Sequence, residues 1–297
     1  MKPRDLASYI FLAFAWGFSF LVIVMVIDAF GWIGAVTFRA LIAGATLFAV
    51  AALMRRKLDF SAGWWPFFVV GATTVAGQLI GLSYGTPRVG TATAAILVAA
   101  IPLFSMLIAQ YWGLERITPQ GVAGLVLGTI GIVLLVGFPA VPVTGEFLMG
   151  CAASLLASFF AAFGSNYANL RLRHVGAMEI ASSSFVFGGL MTLPLLLTVP
   201  VPTLPRSIDY GLLLLLGSIM SGLTYLLYFK LVISIGATKA VSVEFAVTIV
   251  AVFVGAFLLH EPLSLIQLAG AAIIVAGCAL VLGLVPWRSR RIEANAG

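Results

Sequence analysis

The sequence predicts an all-α integral membrane protein of ten transmembrane helices arranged as two inverted five-helix repeats. Composition, the spacing of apolar runs and the placement of positive charge carry that reading. Of the 297 residues 62% are hydrophobic and only 9% charged, with a mean hydropathy of +1.16. A soluble domain carries about a quarter charged residues, so hydrocarbon rather than water is the main solvent of this chain. The connections between the apolar runs are too short to hold a separate catalytic domain, which places any functional surface inside the membrane. A net charge of +6 is compatible with nucleic acid, yet the basic residues form short clusters between apolar runs, where they set membrane orientation. No nucleic-acid partner is expected; the partners are the lipid bilayer and a small-molecule substrate, and a monomer suffices.

A bilayer core about 30 Å thick needs around 20 apolar helical residues. Such runs lie at 6–27, 32–54, 64–85, 91–113 and 119–138, then at 146–168, 178–199, 208–230, 240–259 and 265–285. Breakers separate them: Gly31, Arg55-Arg56-Lys57, Pro87, Pro119, the Pro139/Pro142 pair, Arg171/Arg173, and the proline-rich segment 200–205. The first run is longer than a signal-peptide core and lacks a convincing small-x-small cleavage site, so it is read as the first span. Cys151 and Cys278 both fall inside apolar runs, where a thiol behaves as a small hydrophobe.

Charge fixes the direction. With a cytoplasmic N-terminus, the inner segments hold Lys2, Arg4, Arg55, Arg56, Lys57, Arg116, Arg171, Arg173, Lys230, Lys239, Arg288, Arg290 and Arg291, whereas the outer ones hold only Arg88 and Arg206. That bias places both termini in the cytoplasm of a multi-pass protein of the cell inner membrane.

The halves also match each other. The shift that places Gly90 on Gly236 also places Glu115 on Glu261, Gly124 on Gly270, Gly131 on Gly277 and Leu134 on Leu280; a shift one longer places Gly17 on Gly164 and Phe38 on Phe185. The repeats are read as residues 1–142 and 143–297. With five helices in each, the second enters the membrane from the opposite side, which suits alternating access.

Four motifs carry a family resemblance: Ala15-Trp16-Gly17-Phe18-Ser19, Phe38-Arg39-Ala40, Gly113-Leu114-Glu115-Arg116-Ile117-Thr118, and His260-Glu261-Pro262-Leu263-Ser264, the last two each followed by a glycine-spaced apolar helix. Together they resemble the drug/metabolite transporter superfamily, specifically its ten-helix EamA family. The resemblance implies export or exchange of small metabolites, with YddG-like amino-acid exporters as the nearest functional picture. It also implies a central cavity lined by the first, third, fourth, sixth, eighth and ninth helices. Family members often carry Glu-Pro in the ninth helix where this chain has Val247-Thr248; a glutamate stands one turn earlier, at Glu244.

An ionisable side chain inside a membrane costs roughly 2.5–3.5 kcal/mol on insertion scales, so Arg39 and Glu244 need reasons. For Arg39, pairing with helix-end carbonyls or an outer acid outweighs ligand contact. For Glu244, a structural pair with Lys239 or Lys230 stands beside proton or substrate-amine binding. The eighth span aligns Ser218, Ser221, Tyr225 and Tyr228 on one face, and the sixth aligns Ser154, Ser158, Ser165 and Asn169, with Asn166 turned away. Hydroxyls of this kind also bond helix to helix, and Tyr228 near a span end fits the interfacial aromatic belt. The candidate substrate-binding set is Trp16, Ser19, Gln78, Tyr84, Ser158, Asn166, Ser221, Tyr225, Tyr228, Ser242, Glu244 and Thr248: an aromatic wall with a few hydrogen-bonding groups, suited to an apolar or aromatic amino acid. Gly121, Gly124, Gly128 and Gly131 share one helix face with no donors beside them and are read as a packing surface.

Neither His174 nor His260 has a catalytic or metal-binding partner set in the sequence, and no Walker-type loop is present, so no enzyme activity, metal or cofactor is expected. The alternatives are a multidrug or quaternary-amine exporter of the same superfamily, and a membrane enzyme or receptor without transport. From its place near the inner end of the ninth span, Glu244 is expected not to couple transport to protons. The topology is open to direct measurement: a membrane-impermeant thiol reagent applied from outside is expected to label Ser207→Cys and leave Ser61→Cys untouched. The reverse pattern refutes it.

Overall fold

The structure, a computed structural model, describes residues 3–114, 118–139, 141–199, 201–202 and 204–281. Glu115, Arg116 and Ile117 of the first repeat ending, and the basic C-terminal cluster, lie outside the described residues.

The chain opens with a helical run of 51 residues, Pro3–Leu53, interrupted at Gly31 (φ 73°, ψ 162°). An unbroken helix of that length would extend about 77 Å, more than twice the hydrocarbon thickness. Gly31 therefore divides it into two crossings, α1 (3–30) and α2 (32–53). α3 follows at Trp64–Val89 and α4 at Thr91–Tyr111, and α5 at Pro119–Gly137 closes the first repeat. The second contains α6 (Gly145–Arg171), α7 (Ala177–Leu197), α8 (Ser207–Ile235), α9 (237–258) and α10 (Leu265–Val281).

The repeat is visible in the backbone. Gly90 joins α3 to α4 at φ 84°, ψ 157°, and its counterpart Gly236 joins α8 to α9 at φ 86°, ψ 159°. That region is open to glycine and strained for other residues. α3 widens to π-helix at Gly71–Gly77 and α8 does so at Leu215–Leu223, in matching thirds of the two helices. Apolar periodicity does not announce such widening, and sequence reading treated both spans as regular. It also treated α4 and α9 as continuous, whereas α4 loosens into a turn at residues 99–100 and α9 at residues 241–242.

Polar side chains fix the helix starts. Thr118 Oγ1 accepts the Gly121 amide at 3.1 Å and Thr144 Oγ1 accepts the Phe147 amide at 3.1 Å, each satisfying a donor that the first turn leaves open. α4 is capped from elsewhere in the chain: the Glu261 carboxylate accepts the Thr91 and Ala92 amides at 2.6 and 2.8 Å. That clasp ties the α9–α10 corner to the start of α4 on the face opposite the N-terminus. On the N-terminal face, Arg56 pairs with the buried Glu179 at 3.2 Å, tying the segment after α2 to α7.

The two repeats meet along α5 and α10. A Cβ added at Gly131 would lie 2.7 Å from the Gly270 carbonyl oxygen, and one added at Gly277 would lie 2.6 Å from that of Gly124. Rising positions on α5 thus meet falling positions on α10, so the helices are antiparallel. The shift that carries Gly124 to Gly270 carries Gly131 to Gly277, and exchanging the halves exchanges the two contacts. That reciprocity is the signature of a two-fold axis, here one that inverts the second repeat in the membrane. The glycine face of α5 is the packing surface its spacing predicts.

Gly277→Ala is expected to lower stability by about 1–3 kcal/mol through overpacking against backbone, read as a reduced thermal midpoint in detergent. Gly211→Ala, whose added methyl meets open space in a helix, is expected to leave the midpoint unchanged or raise it.

Candidate functional site

A small cavity of about 40 Å³ lies at the centre of the bundle, lined by Trp16, Ser19, Phe20 and Ile23 of α1, Arg39 of α2, Gln78, Leu79 and Leu82 of α3, Val98 of α4, Tyr225 of α8, and Glu244 and Val247 of α9. Ligand pockets typically measure about 300–1,000 Å³, so the cavity is too small for an amino acid in this conformation. A substrate requires the helices to part.

Aromatic packing builds one wall. The Trp16 ring lies 5.4 Å from both Tyr225 and Tyr228, and Phe185 packs edge-on against Tyr225 at 5.0 Å. The indole Nε1 donates to Thr224 Oγ1 at 2.9 Å. The Tyr225 hydroxyl reaches across to α3, donating to Gln78 Oε1 at 3.2 Å and lying 3.3 Å from the Thr74 carbonyl. Ser19 donates to the Trp16 carbonyl at 2.7 Å, which holds its hydroxyl against its own helix. The large rings therefore have their polar atoms satisfied, as burial demands.

Two ionisable side chains share this cavity. Arg39 is 3% exposed and Glu244 6%. Arg39 Nε donates to Ser221 Oγ at 3.1 Å, while its Nη1 is buried without a hydrogen-bond partner. Among the described residues the ion pairs are Arg56–Glu179 and Arg206–Asp209, so neither Arg39 nor Glu244 is in one. The sequence weighed an outer acid for Arg39 and a lysine for Glu244. Neither the outer acid nor Lys230 is the partner: Arg39 faces the cavity bound to Ser221, and Glu244 faces the same cavity. The Lys239 side chain lies outside the described residues. Glu244 was also read as reachable by water near a helix end, and its burial removes that premise. The turn at residues 241–242 carries the start of the longer α9 segment, and with it Glu244, into the bundle.

The remaining candidates sit elsewhere. Tyr228, read as a possible belt residue, is 5% exposed and hydrogen-bonds Ser165 at 2.8 Å in the aromatic cluster. Ser158 donates to the Leu97 and Ser154 carbonyls, Asn166 Nδ2 donates to Ser105 Oγ at 2.8 Å, and Thr248 donates to the Ala95 and Glu244 carbonyls. These groups stitch α6 and α9 to α4. Ser242 bonds the Tyr9 hydroxyl at 3.1 Å, joining α9 to α1. Tyr84 lies outside the cavity, edge-on to Trp32 at 5.2 Å and beneath the Arg88 guanidinium. Phe20, Ile23, Leu79, Leu82, Val98 and Val247 were not singled out, since an apolar lining residue looks like any core residue in sequence.

The shift between repeats shows how the site differs from its frame. Tyr225 corresponds to Leu79 and Glu244 to Val98, and all four line the cavity. At these two paired positions the aromatic and the acidic group come from the second repeat, opposite apolar partners from the first. A larger groove of about 690 Å³, walled by Phe30, Phe38, Leu41, Val201, Pro202 and Tyr210 among others, lies against another face of α2; none of its described lining residues is charged.

Two separate stretches, residues 6–137 and 148–283, each match the EamA-like transporter family. The chain belongs to that family. Its relatives include "Uncharacterized transporter YoaV" of Bacillus subtilis (strain 168), 23% identical over 242 residues, covering 80% of this chain and 83% of that one. "Protein PecM" of Dickeya dadantii (strain 3937) is 27% identical over 288 residues, covering 95% and 92%. A solved crystal structure superposes with a TM-score of 0.71 at 17% identity, covering 99% of this chain and 100% of that one, which shows that the fold is shared. An EamA-like transporter is a multi-pass membrane protein with a small-molecule substrate, as the sequence predicts.

For this EamA-like transporter, Trp16→Ala and Tyr225→Ala are expected to reduce transport per folded molecule more than Gly128→Ala. A deleted cavity ring removes a contact worth on the order of 1 kcal/mol, whereas the glycine change acts through packing. Equal losses in reconstituted vesicles remove the cavity wall from the substrate path.

Proposed function

We propose that the protein is a secondary transporter of the cell inner membrane that exports or exchanges small metabolites by alternating access through the central cavity, with apolar and aromatic amino acids favoured. The observation that carries the reading is Glu244 beside the Trp16–Tyr225 wall in one buried cavity. A carboxylate outside any ion pair among the described residues recognises an amine, and rings beside it recognise an apolar side chain. The inverted repeat supports alternating access, because exchanging the conformations of the halves (1–142 and 143–297) moves the opening from one face to the other. Both termini are cytoplasmic in this reading, a monomer contains the whole pathway, and no chemical conversion of the substrate is involved.

The same carboxylate and rings suit a quaternary amine, which makes a cation exporter the second reading. A thermal-shift screen of amino acids, quaternary amines and sugars on purified protein separates the two, because a ligand at 100 times its Kd stabilises the native state by about 2.7 kcal/mol. Apolar and aromatic amino acids are expected to raise the midpoint most. Radiolabelled solute is then expected to enter proteoliposomes down its own gradient without a pH gradient; turnover of solute without net flux overturns transport. Glu244→Gln is expected to weaken substrate binding about ten-fold, the equivalent of 1.4 kcal/mol.

A further inference from the structure

The amine-and-ring reading leaves Arg39 unexplained. This guanidinium sits roughly 12 Å into α2 from Gly31, well inside the bundle, with Ser221 as its sole hydrogen-bond partner among the described residues. A structural arginine at such depth is normally paired with a carboxylate or with carbonyls, and here Nη1 has neither. The group lines the same cavity as Glu244 without forming an ion pair with it. Ser221, presented by the π-widened stretch of α8, holds Nε and so orients the planar fork.

We propose that Arg39 is the carboxylate-binding residue of the central cavity, so that the substrate is a zwitterion: its carboxylate on Arg39, its ammonium on Glu244 and its side chain against Trp16 and Tyr225. The inference rests on the reading of this cavity as the substrate site, and it narrows the substrate class. One fixed positive and one fixed negative charge balance a ligand of no net charge. A simple amine leaves the guanidinium buried and unpaired, and a simple carboxylate does the same to Glu244. Each truncated ligand therefore loses its own contact and also strands the group that would have made it. A guanidinium is suited to this task because its parallel donors match the two oxygens of a carboxylate.

The test uses the wild-type full chain in proteoliposomes preloaded with phenylalanine or leucine, measuring counterflow of the labelled amino acid. The competitors are each amino acid, the amine left by removing its carboxylate, and the acid left by removing its ammonium. The intact amino acid is expected to compete at least about ten-fold better than either truncated form. Arg39→Gln is expected to erase the preference for amino acid over amine while leaving amine competition in place. Ser221→Ala, which retains the guanidinium and frees its Nε, is expected to reduce that preference. An amine that competes as well as its parent amino acid on the wild-type protein overturns the assignment of Arg39, whether or not the variants fold, and leaves the transport reading standing. No counterflow and no thermal stabilisation with any of these compounds overturns the amino-acid reading itself, and the assignment of Arg39 with it.

Discussion

The contact between α5 and α10 is the constraint on which the rest of the architecture depends. In hydrocarbon, helices gain no hydrophobic free energy by meeting, so association relies on close van der Waals approach and shared polar contacts. Gly124 against Gly277 and Gly131 against Gly270 allow backbone to touch backbone. Because each contact is the image of the other, the seam can be satisfied only when the second five-helix unit runs opposite to the first. The direction of every other helix in the second repeat follows.

Within that symmetric frame the chemistry is one-sided. The repeats agree in the glycines that turn the chain, Gly90 and Gly236, and in the π-helical widening of α3 and α8. They differ where they meet the cavity: leucine faces tyrosine, and valine faces glutamate. A perfectly symmetric cavity would present duplicate charges of one sign, at the cost of like-charge repulsion in a low dielectric. Here the two ionisable groups of opposite type come from Arg39 of the first repeat and Glu244 of the second, both buried and neither in an ion pair among the described residues. Burial of this kind is tolerated in a membrane protein where a pathway uses it.

The fold was legible in the sequence because hydrocarbon imposes length, apolarity and charge placement that can be read directly. The glycine seam was legible too, since four glycines on one face of an apolar helix have few other uses. Trp16, Ser19, Gln78, Tyr225 and Glu244 were reached through residue chemistry and the family resemblance. Tyr84 was not distinguishable from them, because its helix does face the cavity, at Gln78, Leu79 and Leu82, while Tyr84, two residues beyond Leu82, falls on the far side of that helix. Arg39 and Glu244 were visible as anomalies, but their common cavity depends on how α2 and α9 are turned, and local periodicity does not encode the turn at residues 241–242. Ser158 and Asn166 on α6 looked like ligand groups; they bond backbone and Ser105 instead, a use that sequence spacing does not separate from binding.

The Glu261 clasp carries a consequence for rate. A carboxylate accepting two backbone amides forms charge-assisted hydrogen bonds worth about 1.5–3 kcal/mol each, and Glu261 makes both to the first turn of α4. Any opening that separates α4 from the α9–α10 corner breaks the pair before water can replace it, adding about 3–6 kcal/mol to that barrier. By transition-state arithmetic this lengthens the lifetime of the closed face by two to four orders of magnitude. If that opening limits the cycle, variants at this corner alter speed without altering which molecules are carried.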